Sequence, residues 1–138
     1  MTEMVRLSEY EKRLRRLYAL EVRGEKYDLY GPRSLHDALG CPGFELRSVL
    51  IGGTNGKGST ATFLEACLRR AGLKTGLFTS PHLVSFCERI RINGNPISHE
   101  AVVHTIDPIL EFAQSLGNSF FETAWALAAD IFHQESVD

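Results

Sequence analysis

The stretch IGGTNGKGST, residues 51–60, constrains this chain more than any other: it packs four glycines, one lysine and three hydroxyl side chains into ten positions. A backbone so rich in glycine marks a place where the chain must bend sharply or approach something closely. Its flanks say which. Before it stand Val49, Leu50 and Ile51, an apolar run that reads as a short buried strand. After it, STATFLEACLRRAG repeats apolar residues at helical spacing, with Phe63, Leu64, Cys67, Leu68 and Ala71 on the inward side and Gly72 as the stop. KTGLFTS, residues 74–80, reads as a second strand. Strand, glycine turn, helix, strand is one βαβ unit, which implies parallel strands and a right-handed crossover. The expected fold class is therefore α/β, a P-loop-type parallel sheet with flanking helices.

A loop from a buried strand into a helix is a natural anion site, because its N–H groups and the helix N-terminus point at the same place. Lys57 adds a positive charge able to reach a β- or γ-phosphate. Ser59 and Thr60 offer hydroxyls to phosphate or magnesium. The loop departs from the strict P-loop pattern twice: Ile51 stands where the first glycine belongs, and Gly58 follows the lysine in place of Ser or Thr. A purely structural turn is the bland reading, and four glycines with a lysine argue against it. A dinucleotide loop is the sharper competitor, since Gly56 to Ala61 matches G-x-G-x-x-[GA]. That fold needs an acidic residue about 20 positions on, to hold the ribose hydroxyls. No Asp or Glu occurs between Glu65 and Glu88. ATP is thus favoured over NAD.

The rest of the chain is organised around this unit. Its 138 residues suffice for one domain with a real core. A net charge of −2 gives no broad attraction to nucleic acid or anionic membrane. No apolar run approaches the roughly 18 residues that span a bilayer, and the N-terminus lacks the apolar region of a secretory signal. Cys41, Cys67 and Cys87 are odd in number, far apart and without a C-x-x-C, so neither a disulfide framework nor a zinc site is suggested, and a reducing cytoplasm is the simplest setting.

Ser8 and Glu11 form a capping box for a first helix, with Tyr10, Leu14, Leu17 and Tyr18 on one face and a solvated basic face of Lys12, Arg13, Arg15 and Arg16 opposite. Residues 24–33 read as a loop with a turn at Gly31-Pro32, followed by a short helix from Ser34 to about Leu39. Ile90 and Ile92 alternate into Asn93-Gly94, a two-residue hairpin signal, and Pro96 limits the return arm. Ser98 caps a helix burying Val102, Val103, Ile106, Ile109, Leu110 and Ala113, which Pro108 is expected to kink or divide. Gly117-Asn118 ends it. Ser119 and Glu122 then box a last helix through Trp125, Ala128, Ala129 and Phe132, after which the third parallel strand of such a fold is still to come.

Three motifs in this order and spacing, Gly53-Thr54-Asn55-Gly56-Lys57-Gly58-Ser59, Thr79-Ser80-Pro81-His82-Leu83 and Glu88-Arg89-Ile90, closely resemble the folylpolyglutamate synthase/dihydrofolate synthase family of the Mur-ligase superfamily. Peptidoglycan Mur ligases usually follow the lysine with Thr or Ser, so Gly58 favours the folate branch. The resemblance extends from about Asp28 onward and implies that residues 1–138 are the N-terminal portion of the ATP-binding, Mur-ligase central-type domain, without the C-terminal glutamate-ligase domain.

The resemblance also implies roles. Gly53, Thr54, Asn55, Gly56, Lys57, Gly58, Ser59 and Thr60 would hold the nucleotide, with Lys57 catalytic. Ser80 would ligate magnesium. Asp28, Gly31, His82, Glu88, Arg89, Ser119, Phe120, Phe121 and Glu122 would lie at the pterin-bearing substrate, although Glu88 with Arg89 also reads as a local ion pair, and Ser119 with Glu122 as a capping box between core phenylalanines. The implied cofactors are ATP and Mg2+. The implied reaction joins L-glutamate to dihydropteroate or folate through an acyl phosphate, in a cytoplasmic enzyme whose full-length form is a monomer and which engages neither nucleic acid nor membrane. The family's acidic magnesium ligand and further substrate motifs are expected beyond Asp138, so this chain alone is expected to lack turnover. Two alternatives stand beside this reading: a short non-catalytic nucleotide- or pterin-binding protein, and another Mur-type ligase or P-loop enzyme.

Overall fold

The computed structural model describes residues 8–20 and 29–138. In chain order the elements are α1 (Glu9–Tyr18), α2 (Tyr30–Ala38), α3 (Lys57–Arg70), β1 (Gly76–Phe78), a 3-10 turn (Phe86–Arg89), β2 (Ile90–Ile92), β3 (Asn95–Pro96), α4 (His99–Leu116) and α5 (Phe120–Gln134). They divide into two compact units, one of Met1–Cys41 with His99–Leu127, the other of Pro42–Ser98 with Ala128–Asp138.

In the first unit, α1 and α2 both pack on α4. Ser8 and Glu11 close the expected capping box: the Ser8 hydroxyl accepts from the Glu11 N–H, and the Glu11 carboxylate accepts from the Ser8 N–H at 2.7 Å. Leu17, Leu35, Val102, Ile106, Ile109, Leu110 and Ala113 are buried together, each large one worth about 1.5–3 kcal/mol of removed apolar surface. The basic face of α1 is partly pinned rather than simply solvated. Arg13 donates from Nη2 to Asp107 at 2.7 Å, and Arg16 approaches the same carboxylate at 3.5 Å.

Two expectations here are corrected. Helix α2 starts at Tyr30, not Ser34, so Gly31-Pro32 is its first turn rather than a loop. Proline is tolerated there because first-turn N–H groups have no helical acceptor to lose. Helix α4 runs unbroken through Pro108. Six buried side chains along it hold the helix together past one missing hydrogen bond.

The second unit contains a three-stranded sheet in the order β1-β2-β3, antiparallel throughout. Asn93 and Gly94 both have positive φ, 49° and 80°, as a two-residue hairpin turn of the strand-matching hand requires. Ile92 faces Asn95 across it. Leu77, Phe86, Cys87, Ile90, Ile97 and Ile131 form the core. Gly76 lies flat on the Phe132 ring, where a Cβ would come within 2.8 Å.

The expected βαβ unit is not what forms among the described residues. Val49, Leu50 and Ile51 carry no strand, and Val49 and Leu50 are 68% and 97% exposed. A buried parallel strand needs ladder partners and cover on both faces, and none of the described residues supplies them; β1 pairs instead with the hairpin that follows it. The inward face expected for α3 is likewise reversed. Phe63 is 73% exposed, Cys67, Leu68 and Ala71 are exposed, and Glu65 is buried. Helix α3 meets β1 along the edge carrying Glu65, whose carboxylate accepts from the Thr75 hydroxyl at 2.5 Å and from Arg69 Nε at 3.0 Å.

Candidate functional site

The glycine loop makes an open anion-binding arrangement in the second unit. Gly53 has φ 142° and Gly56, the N-cap of α3, has φ 76°, both in territory that side chains rarely enter. No side chain caps α3 and no acidic residue occupies its first turn. The first helical bond closes from the Thr60 N–H to the Gly56 carbonyl at 2.9 Å. The N–H groups of Lys57, Gly58 and Ser59 therefore face outward as free donors at the positive end of the helix. Lys57 folds back over the loop, its Nζ donating to the carbonyls of Gly53 at 2.6 Å and Thr54 at 3.2 Å. These carbonyls hold the ammonium at the loop rather than out in solvent. Residues 52–60 are all exposed.

Beyond β1 the chain turns through Ser80, which is exposed, and a cis Ser80–Pro81 peptide. The residues that follow are organised by Glu88. Its carboxylate accepts main-chain N–H bonds from Leu83 at 2.9 Å, Val84 at 3.0 Å and Ser85 at 2.7 Å, which hold it below the ordinary carboxylate range, the Leu83 bond contributing most. Ser85 answers with its hydroxyl, so the pair is also the capping box of the 3-10 turn. Arg89 is buried and donates from Nε to His82 Nδ1 at 2.8 Å. In that bond Nδ1 is the acceptor, which fixes the orientation of the ring. The local Glu88–Arg89 pairing anticipated from their adjacency is thus replaced by two separate tasks: Glu88 knits the loop, and Arg89 orients the His82 ring beside Phe86.

The first unit gathers a second group. Ser119 donates its N–H to Glu122 at 2.7 Å and accepts the Glu122 N–H at 3.4 Å, as the capping box requires. Phe120 stacks on Tyr18 with centroids 5.3 Å apart, and Phe121 is exposed. Gly31 is brought against Glu122, where a Cβ would fall 2.5 Å from its carboxylate oxygen and 3.3 Å from Asn118 Nδ2. Asp28 lies outside the described residues. Sequence reasoning missed Asn118, read only as part of a helix stop. Its side chain is 3% exposed, yet neither its amide nitrogen nor its oxygen has a hydrogen-bond partner. It borders a cavity of about 330 Å³ whose walls include Arg16, Leu20, Ala113 and Gln114. Nothing in the local pattern flags it, because part of its surroundings, Arg16 in α1, Leu20 just after it and Gly31 in α2, lies far from it in sequence.

These features define a class: an α/β chain whose candidate site is built on a glycine-rich, lysine-bearing loop that opens a helix. No protein-family model matches it. Known proteins match it more closely. Folylpolyglutamate synthase, mitochondrial, of Cricetulus griseus is 42% identical over 101 residues, 68% of this chain and 17% of that protein. The dihydrofolate synthase/folylpolyglutamate synthase of Bacillus subtilis is 43% identical over 91 residues, 64% of this chain and 21% of its own length. The solved folylpolyglutamate synthase of Mycobacterium tuberculosis, complexed with ADP, superposes with a TM-score of 0.83 at 34% identity, over 95% of this chain and 31% of that one. The chain belongs to the folylpolyglutamate synthase/dihydrofolate synthase family, and it spans about a fifth of the length of the curated relatives it matches.

Proposed function

We propose that this chain is the nucleotide-gripping front part of an ATP-dependent ligase that joins L-glutamate to dihydropteroate or a folate. The observation that carries this reading is the uncapped N-terminus of α3, with Lys57 held at the mouth of a loop whose glycines keep it open. Donors without acceptors, no acidic residue in the first turn and a tethered ammonium suit a polyphosphate. Complexes of a relative with ADP support the same ligand.

In this reading the main chain from Gly53 to Thr60 orients the phosphates, and Lys57 exchanges its two carbonyl acceptors for phosphate oxygen. When bound, Mg-ATP supplies the phosphoryl group that activates a substrate carboxylate toward the amine of glutamate. The exposed Ser80 hydroxyl is an oxygen donor of the type magnesium accepts, and it would hold the ion together with phosphate and water oxygens. The Glu88 loop and the His82 ring present one substrate-facing surface. Gly31 and the Ser119–Glu122 turn, with the unpartnered Asn118 amide and an exposed Phe121, present another suited to a flat heterocycle with polar edges. Asp28 is proposed as a further contact to the same substrate.

The exposed Val49 and Leu50 and the exposed face of α3 fit a parallel sheet completed by further chain, with residues 1–138 as the N-terminal portion of the ATP-binding domain. A net charge of −2 and no helix among the described residues long and apolar enough to cross a membrane fit a cytoplasmic enzyme of small molecules, monomeric in its full-length form.

Calorimetric titration of Mg-ATP into the chain and into its Lys57→Ala variant tests the proposal. Binding that weakens by about tenfold or more in the variant is expected, the loss of a charge-assisted bond being worth about 1.5–3 kcal/mol. Equal affinity in both would remove the loop from the site.

A further inference from the structure

The last turn of α2 carries a second cluster that the ligase chemistry does not use. We propose that His36, Asp37 and Cys41 form a binding site for a divalent transition-metal cation of the zinc type. One ligand atom from each residue lies within 4.8 Å of the others. Cys41 Sγ stands 3.4 Å from Asp37 Oδ1. Two ligands of one tetrahedral zinc ion, with bonds of about 2.0–2.3 Å, are separated by about 3.4–3.6 Å. The sulfur and the carboxylate oxygen therefore already have the spacing of ligands that share an ion, and a His36 ring nitrogen lies within 4.8 Å of both.

The backbone explains why three residues spread over six positions converge. Helix α2 is closed by two hydrogen bonds: the Cys41 N–H donates to the His36 carbonyl at 2.9 Å and the Gly40 N–H to the Asp37 carbonyl at 3.0 Å. Gly40 at φ 77° and Cys41 at φ 56° reverse the chain so that residue 41 returns beneath residues 36 and 37. The cluster thus straddles the C-terminal end of α2, with Cys41 held just past the last helical residue by the bond to His36. The carbonyl end of a helix also favours a cation.

The donor set chooses among cations. One imidazole nitrogen, one thiolate and one carboxylate oxygen suit zinc and its borderline-soft neighbours, whereas magnesium and calcium demand oxygen alone. His36 and Cys41 are half-buried and Asp37 is exposed, so the fourth position opens to water. The absence of a C-x-x-C pair conceals the site in the sequence, because its three ligands are of three different kinds.

A built-in reporter makes the test direct. Trp125 is the only tryptophan in the chain, and its ring lies 5.7 Å from that of His36. Titrating the purified chain with Co2+ should produce a thiolate-to-cobalt absorption band and quench Trp125 fluorescence with the same midpoint. Stoichiometric Zn2+ should reverse both. Cys41→Ser should abolish the band, and His36→Ala should weaken binding by more than the roughly 10–100-fold that losing even an outer partner costs. Cys67→Ser, on the exposed side of α3, should change neither signal. Circular dichroism of each variant confirms that it remains folded. No cobalt band, or a band that survives Cys41→Ser in folded protein, would overturn the proposal.

Discussion

Glu88 shows how much one side chain can carry. Three main-chain N–H groups converge on its carboxylate, and its proton is correspondingly easy to lose. The sign of the pH effect follows. Its folded pKa lies below the ordinary value of 4.5, so on acidification the unfolded chain binds this proton first. The stabilisation is complete above about pH 4.5 and is lost as pH falls through the folded value. Glu88→Gln keeps the shape and removes the charge. Its melting temperature should lie below that of the parent at pH 7, and the gap should close toward pH 3. A gap that stays constant across that range would show the charge to be irrelevant. Adjacency in sequence makes Glu88 and Arg89 a natural pair; only the path of the chain through residues 83–85 reveals what Glu88 holds.

At the scale of elements, local chemistry was most legible where a helix starts. Both expected S-x-x-E boxes form, at Ser8 and at Ser119, since a cap involves residues three apart and needs no distant partner. The Asn93-Gly94 hairpin forms for the same reason. Ser119 also stands among the proposed pterin contacts, and the two roles can be separated. Ser119→Ala should cost about 1 kcal/mol in urea unfolding by loss of the cap. Ser119→Asp should recover it, because aspartate caps as well as serine does. If aspartate restores stability while affinity for dihydropteroate stays low, the hydroxyl serves the ligand as well as the helix. Failure of aspartate to restore stability would mean that the cap is not what Ser119 contributes.

At the scale of the whole molecule, apolar side chains stay uncovered in both units, Leu29 and Tyr30 in the first and a larger group in the second. Leu50, Phe63, Leu83 and Val84 are each more than 70% exposed. Apolar surface gathered in one unit seeks cover from another chain. Sedimentation of the chain alone should show self-association that grows with concentration, and Leu50→Lys combined with Val84→Lys should reduce it. A monomer at every concentration would mean that this surface is tolerated in water.

Features that depend on neighbours a few residues apart were legible in residue order alone: the helix caps, the hairpin, the apolar stripe of α4, and the glycines and lysine of the loop. These are short-range bonds and periodicities, and they are written in local residue order. The tertiary structure decided everything that needed a remote partner. It gave β1 an antiparallel mate in place of the expected parallel one, turned Glu65 of α3 inward toward Thr75, buried the Asn118 amide without a partner, and set Gly31 against Glu122. The physical reason is the same in each case: a strand, a helix face or a polar group is settled by whatever removes it from water, and that neighbour lies far away along the chain.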